Sequence, residues 1–324
     1  MELWKDFEEA KNVLFSFING KQVILWGYDY NAYFLEHLFR LSNKNIEYIV
    51  DDGSMNPRLR ITRSCELLDF SPDIYAVIIT KAYDSLLENY LQHNGFHKNI
   101  NYVYAKDVFL RQTNEERQSE NISYFGYLEN RYDIDIIDRK SMELMEVPHE
   151  DCLCYAPGIG YGLADVLEQF SFDSEDSVFD FGCGKGGALI LFEKYGLKQY
   201  GGVEYDKQLY SVLCDNFDKL GLNKALLING DARLITTELD QYNYFFMYNP
   251  FQGETFSQVI YNIEKSWYRN IRRIVLIYSG PYCHNEVIKH GLFKLTKKIY
   301  TDYAVRNVNI YMIPDNAAGD RCQE

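Results

Sequence analysis

The stretch Val178-Phe-Asp-Phe-Gly-Cys-Gly-Lys-Gly-Gly187 has the residue types and spacing to hold a small ligand against bare backbone. An apolar run carries one acid, Asp180, into a glycine cluster. Gly182 and Gly184 leave no Cβ in a ligand's way, and Gly186 and Gly187 let the next helix start tight against a sheet. That helix is expected from Ala188 to Tyr195, with Leu189, Ile190, Phe192 and Tyr195 on its buried side.

Three further segments repeat the arrangement. Gly201-Gly-Val-Glu-Tyr-Asp206 closes a short strand about twenty residues on, placing Glu204 where an α/β nucleoside site keeps a carboxylate that accepts two ribose hydroxyls. Ala225-Leu-Leu-Ile-Asn-Gly-Asp-Ala232 runs apolar into Asp231, an acceptor for the exocyclic amine of an adenine, with Ala232 beside it. Tyr244-Phe-Phe-Met-Tyr-Asn-Pro-Phe251 runs apolar into Asn249 and Pro250. Four consecutive strands, each delivering polar groups from its carboxyl end, describe a ligand crevice along the top of an open parallel sheet.

Two phosphate-binding readings compete. A mononucleotide loop needs a Ser or Thr after its lysine, and Lys185 is followed by Gly186. The run from Gly182 does fit the G-x-G-x-x-G of a dinucleotide site, but such a site has no evident use for the later N-G-D and Y-N-P-F groups.

The ordered series D-F-G-C-G-K-G-G, G-V-E-Y-D, N-G-D-A-R and Y-N-P-F resembles the motifs of class I S-adenosylmethionine-dependent methyltransferases, over roughly residues 120 to 313. The resemblance implies a Rossmann-like, mostly parallel α/β sheet with an antiparallel edge strand, and S-adenosyl-L-methionine as cofactor. Carried over by position, it sets Gly182 and Gly184 under the methionine part and sulfonium, Glu204 on the ribose, and Asp231 with Ala232 on the adenine. Asp180 supports the loop, and Asn249 borders the cofactor. The segments Arg131-Tyr-Asp-Ile-Asp-Ile136 and Tyr155-Ala-Pro157 are similar to the approach region of a subgroup with the same Y-N-P-F signature.

Y-N-P-F also resembles the N-P-P-Y/F motif of methyltransferases acting on nitrogen. There the Asn oxygen and the following carbonyl accept hydrogen bonds from the target, which implies a catalytic corner at Asn249 and Pro250. The second proline is missing, since Phe251 follows Pro250. Tyr248 and Phe251 are placed to flank a planar acceptor, and Tyr155 and Tyr161 to line its pocket. A hydroxyl acceptor would instead need a base for its proton. His284, in Ser279-Gly-Pro-Tyr-Cys-His284, and His149 are the candidates, although a lone His is more often a surface or hydrogen-bonded residue.

Stepping outward to the elements, 324 residues suit two domains, and 47% hydrophobic with 16% aromatic content is ample for their cores. A net charge of −14 disfavours a protein that tracks long nucleic acid. The basic cluster Arg269-Asn-Ile-Arg-Arg273 reads as a solvated helix end before a strand at Ile274 to Tyr278. Seven cysteines without framework spacing, and no signal-like apolar start, point to a reducing cytoplasm, with no metal site. No apolar run reaches the roughly twenty residues that span a bilayer, so no membrane partner is expected.

The amino-terminal part alternates strands (Gln22 to Gly27, Ile46 to Asp52, Ile74 to Thr80) with a helix at Ala32 to Arg40. This resembles the compact Rossmann-like module of many bacterial sugar-modifying and polysaccharide-assembly enzymes. Its turn, Gly27-Tyr-Asp-Tyr-Asn-Ala32, puts side chains and a carboxylate where a dinucleotide needs bare backbone, so a recognition or dimerisation unit is expected. The expected division is a module at 1–110, a polar connecting segment at 111–122 and the methyltransferase domain at 123–324, with a fraying tail from Asp315. The leading reading is methyl transfer to a small or sugar-like acceptor through nitrogen or oxygen, with a homodimer through the module allowed. Protein N-methylation and a non-catalytic cofactor-binding scaffold are the alternatives.

Overall fold

The computed structural model describes residues 3–51, 61–62, 71–110, 121–138, 140, 144–147, 149–157, 160–289, 291–300 and 307–314. The chain divides into two compact units, Glu2–Asp133 and Ile134–Glu324, the second also taking Met1.

The first unit runs α1 (Lys5–Ile18), β1 (Gln22–Trp26), α2 (Tyr30–Leu41), β2 (Tyr48–Val50), β3 (Ile61–Thr62), β4 (Tyr75–Ile79), α3 (Ser85–His93), β5 (Tyr102–Tyr104), α4 (Ala105–Phe109) and α5 (Tyr124–Tyr132). Its sheet has the order β3-β2-β1-β4-β5, all parallel. The central strands are continuous apolar runs because helices cover both faces, and Val23 to Trp26 and Ala76 to Ile79 are buried.

Helix α5 belongs to this unit, so the boundary falls after Asp133 and not within the polar stretch 111–122. The reason is aromatic packing: Tyr124 lies against Trp4, Phe7 and Phe34, and its hydroxyl is 3.2 Å from His37 Nε2. A polar stretch marks the surface but does not say which core the next apolar turn joins.

The second unit runs α6 (Gly160–Leu167), β6 (Ser177–Phe181), α7 (Gly187–Glu193), β7 (Gln199–Glu204), α8 (Lys207–Lys219), β8 (Leu226–Asn229), β9 (Tyr244–Tyr248), α9 (Gly253–Arg269), β10 (Ile274–Ser279), α10 (His284–Ile288), β11 (Lys294–Ile299) and β12 (Val308–Ile313). Its seven-stranded sheet has the order β11-β12-β10-β9-β6-β7-β8. Strands β6 to β10 are mutually parallel, and β12 runs antiparallel between β10 and β11, one place in from the edge. This is a Rossmann-like arrangement whose strand order reverses between β6 and β9, where open α/β sheets bind ligands. Leu189, Ile190 and Phe192 of α7 are buried as expected, while Tyr195 lies past the helix end and is half-buried. No helix among the described residues is long and apolar enough to cross a membrane.

Candidate active site

A cleft of about 110 Å³, partly open to solvent, lies over the carboxyl ends of β6, β7, β8 and β9. Asp180, Gly182, Glu204, Asp231, Ala232, Tyr155, Tyr248, Pro250 and Phe251 all line it. Residues up to 96 positions apart in sequence, Tyr155 and Phe251, thus meet at one cleft.

The glycine loop is shaped by close approach on two sides. Gly182 has φ +73°, and a Cβ there would come within 2.6 Å of Pro250 Cβ, so the first and fourth motifs touch at backbone distance. Gly184 has φ +53°, and a Cβ there would fall 2.3 Å from Tyr155 Cε2. The Tyr155 ring therefore roofs Gly184, which does not itself line the cleft.

Glu204 is only 7% exposed and joins loop to strand: Oε2 accepts from Gly184 N at 2.9 Å and Oε1 from Asp206 N at 2.8 Å. Burial pushes its carboxyl above the ordinary range, against the pull of these amides. Asp180, 3% exposed at the end of the neighbouring strand, is pushed up well above that range by burial and then by the Glu204 charge. Asp231 behaves in the opposite way. Burial raises it, but the His149 bond and the Arg233 amide and guanidinium outweigh that and hold it below the usual carboxylate value. Its Oδ1 accepts from Arg233 N at 2.9 Å, and its Oδ2 lies 2.9 Å from His149 Nε2.

Part of the cleft wall is a strap made of the described residues between 134 and 157, whose anchors are residues that sequence reasoning passed over. Lys185, 5% exposed, bonds Asp135 Oδ1 and the Asp138 carbonyl and stands 5.6 Å over the Tyr155 ring. The buried Asn216 side chain binds Asp135 O at 2.8 Å and Lys185 O at 3.0 Å. Asp206, fully buried, caps α8 through Gln208 N and Leu209 N and also takes Lys140 Nζ at 2.7 Å and Glu146 N at 2.8 Å. Tyr155 Oη donates to Ile136 O at 2.6 Å, and both oxygens of Asp151 bind Thr255. The one advance signal was Lys185 itself, a cation within a glycine loop that no phosphate reading used.

At the fourth strand, Asn249 has φ +43° and its Oδ1 accepts from Tyr278 Oη at 3.3 Å. The Pro250 carbonyl accepts from Leu153 N at 2.9 Å. Asn249 sits between two lining residues, Tyr248 and Pro250, without lining the cleft itself. His284 is not brought to the cleft either: its Nδ1 is 2.8 Å from Tyr311 Oη, which also takes Asn309 Nδ2, because α10 turns back onto β12. Tyr161 falls in α6, and its side chain lies outside the described residues. Among the described residues there is no group of three or more His, Cys, Asp or Glu side chains able to hold a metal.

In the amino-terminal unit the turn after β1 is closed. Gly27 has φ +115°, and a Cβ there would lie 2.3 Å from Thr80 Oγ1 and 2.7 Å from Lys81 Cγ. The Asp29 carboxylate takes Ala32 N at 3.0 Å, capping the end of α2 that a pyrophosphate would use.

No protein-family model and no curated protein sequence matches the chain. Solved structures to which it is similar include a TehB-like SAM-dependent methyltransferase from Corynebacterium glutamicum, at 14% identity over 47% of this chain and 87% of that one, with a TM-score of 0.35. Ribosomal protein L11 methylase from Lactobacillus delbrueckii subsp. bulgaricus aligns at 14% identity over 55% and 84%, with a TM-score of 0.37. M. jannaschii TYW2 in complex with AdoMet aligns at 18% identity over 47% and 74%, with a TM-score of 0.34. What this chain does has to be read from its own residues.

Proposed function

We propose that the protein transfers a methyl group from S-adenosyl-L-methionine to a small or sugar-like acceptor. The observation that carries this is the meeting of Asp180, Glu204 and Asp231, from the ends of three successive parallel strands, on one cleft floored by Gly182. The donor set suits an adenosine. Glu204 keeps lone pairs for ribose hydroxyls after its two backbone bonds, Asp231 offers an acceptor for an exocyclic amine, and Gly182 lines the cleft between them.

The cofactor supplies a methyl group already activated on a sulfonium. The chain's part is to hold both partners in line and keep water out. Tyr155, Tyr248, Phe251 and Pro250 form an apolar wall for a flat acceptor, and the strap anchors fix Tyr155 over the glycine loop. The amino-terminal unit acts in recognition or dimerisation without a dinucleotide of its own, a reading supported by the crowding at Gly27 and the Asp29 cap. A cytoplasmic enzyme of biosynthesis fits the acidic, cysteine-bearing composition.

Calorimetry with S-adenosylhomocysteine and methyl release over a panel of acceptors test this together. Binding with turnover supports it. Binding without turnover on any acceptor would favour a cofactor-binding scaffold, and absence of binding would remove the reading.

A further inference from the structure

Resting on the methyltransferase reading, we propose that the cleft takes an acceptor bearing a protonated amine and no phosphate, with the carboxylate of Glu146 as its counter-ion, whichever atom of that acceptor is methylated.

Charge around the cleft is arranged one way. Glu146, Asp180, Glu204 and Asp231 line it, and no Lys, Arg or His does so among the described residues. The cations nearby are each turned onto a carboxylate: Lys185 onto Asp135, Lys140 onto Asp206 and Arg233 onto Asp231. Asp180 shows that a positive partner is wanted. It is 3% exposed and lines the cleft, and its carboxyl has no hydrogen bond among the described residues. The Glu204 charge adds to burial in pushing it well above the ordinary carboxylate range, so the two acids compete for ionisation on one floor.

The backbone donors that could receive an anion are closed as well. In the glycine loop, Gly182 N and Cys183 N donate to the Val203 carbonyl, and Gly184 N to Glu204. At the helix starts, Asp206 takes Gln208 N and Leu209 N of α8, and Asp151 takes Thr255 N of α9. Asp231 takes Arg233 N in the turn after β8. A phosphate needs such amides, or a Lys or Arg, and at each of these places it would meet a carboxylate or an amide already engaged. Like charges set together in this way reject a ligand. The cofactor, with a sulfonium and an ammonium against one carboxylate, is net positive and suits the same surroundings.

Glu146 extends the demand to the acceptor. Asp180, Glu204 and Asp231 are the acids that the methyltransferase reading gives to the cofactor, and Glu146 stands outside that set. It is exposed in the strap, and its carboxylate has no hydrogen bond or ion pair among the described residues, while its own N–H is pinned by Asp206 at 2.8 Å. Its neighbour Met145 accepts the Tyr155 N–H through sulfur at 3.0 Å, which joins this stretch to the wall of Tyr155, Tyr248 and Phe251. A carboxylate beside aromatic faces is a setting for an ammonium, which pairs with the acid and rests against the rings.

The test uses nitrogen-centred analogues of the cofactor in which the methyl group is replaced by an arm of equal length ending in an ammonium, a methyl or a carboxylate. Each is titrated calorimetrically into the full-length protein beside S-adenosylhomocysteine, which has no arm, so the acceptor need not be known. The ammonium arm should bind tightest and the carboxylate arm weakest, roughly tenfold or more apart, since one is attracted and the other repelled. Glu146→Gln should shrink that ratio by about threefold, the size of a partly exposed ion pair. A carboxylate arm as tight as the ammonium arm, or binding of S-adenosylhomocysteine with none of the three analogues, would overturn the amine assignment. An unchanged ratio in Glu146→Gln, or a tenfold loss of S-adenosylhomocysteine affinity there, would overturn the role of Glu146. Failure of all four ligands to bind the wild-type protein would instead remove the methyltransferase reading, and this inference with it.

Discussion

The carboxylate of Glu204 accepts the backbone N–H of Gly184 at 2.9 Å, so the acid at the end of β7 braces the glycine loop at the end of β6. From sequence this acid appears only as a ligand group, and its removal would leave the fold untouched. The structure gives it a second task. Glu204→Ala is expected to leave the Gly184 and Asp206 amides without their partner and to lower stability by about 1–3 kcal/mol, besides weakening S-adenosylhomocysteine binding. Glu204→Gln keeps one amide bond and should lose about tenfold in affinity with a smaller loss of stability. Melting and calorimetry on the two variants check this, and full stability of Glu204→Ala would refute the bracing.

Acidity should act in two opposed ways. Asp180 and Glu204 have folded-state pKa values raised by burial, so the stability they contribute is fully present below their unfolded values, near pH 4, and is lost as pH rises through the folded ones. Asp206 and Asp231 are lowered by their partners. Their contribution is present above about pH 4 and is lost as pH falls through the folded values. Asp180→Asn should therefore stabilise the protein at pH 7 and flatten the decline between about pH 4 and 7. Denaturation midpoints across this range measure it. A destabilised variant at pH 7 would show that the charge of Asp180 is needed where it stands.

The motif acids and glycines were legible because each must sit at a strand's carboxyl end, and apolar runs announce strand ends. The five parallel strands of the second unit follow the apolar segments closely, as do β1, β2 and β4. What could not be read was everything that depends on which irregular segment crosses the cleft. Asp135, Asp151 and Lys140 carry no period, and their partners Lys185, Thr255 and Asp206 lie 50, 104 and 66 positions away. His284 misled for a related reason: nearness to a strand end in sequence does not tell which way the following helix turns.

The Lys185–Asp135 pair makes the strap testable. Lys185 is 7% exposed in its side chain and Asp135 49%, so the pair is half solvated and breaking it costs less than a fully buried pair would. Asp135→Ala leaves a buried ammonium with the Asp138 carbonyl alone and should cost about 1–2 kcal/mol. Lys185→Met removes the buried charge and leaves the Asp135 carboxylate, 49% exposed, to water, and should cost less. Urea midpoints order the two variants, and the reverse order would mean that the pair contributes nothing to the strap.

For the amino-terminal unit, neither NAD nor NADP should raise the melting temperature of the full chain, because Thr80 and Lys81 fill the space beside Gly27 and Asp29 occupies the helix end. Gly27→Ala should destabilise by more than about 1 kcal/mol, since φ is +115° and the added methyl meets Thr80. Saturable stabilisation by either dinucleotide would make this a second cofactor site.

The strand order of the second unit also bears on how the cleft comes into being. Strands β6, β7 and β8 are neighbours in both chain and sheet, as are β9 and β10, whereas β6 and β9 pair across a long intervening segment. The contact of Pro250 with Gly182 lies on that seam, so neither half of the sheet possesses the crevice alone. During synthesis the glycine loop and Glu204 would emerge and pair first, without the far wall that Pro250 supplies, and the cleft would be complete only when the least local pairing closes. A ligand that touched both Gly182 and Pro250 would then act as a rivet across the join, holding together the two halves that the chain itself connects most loosely.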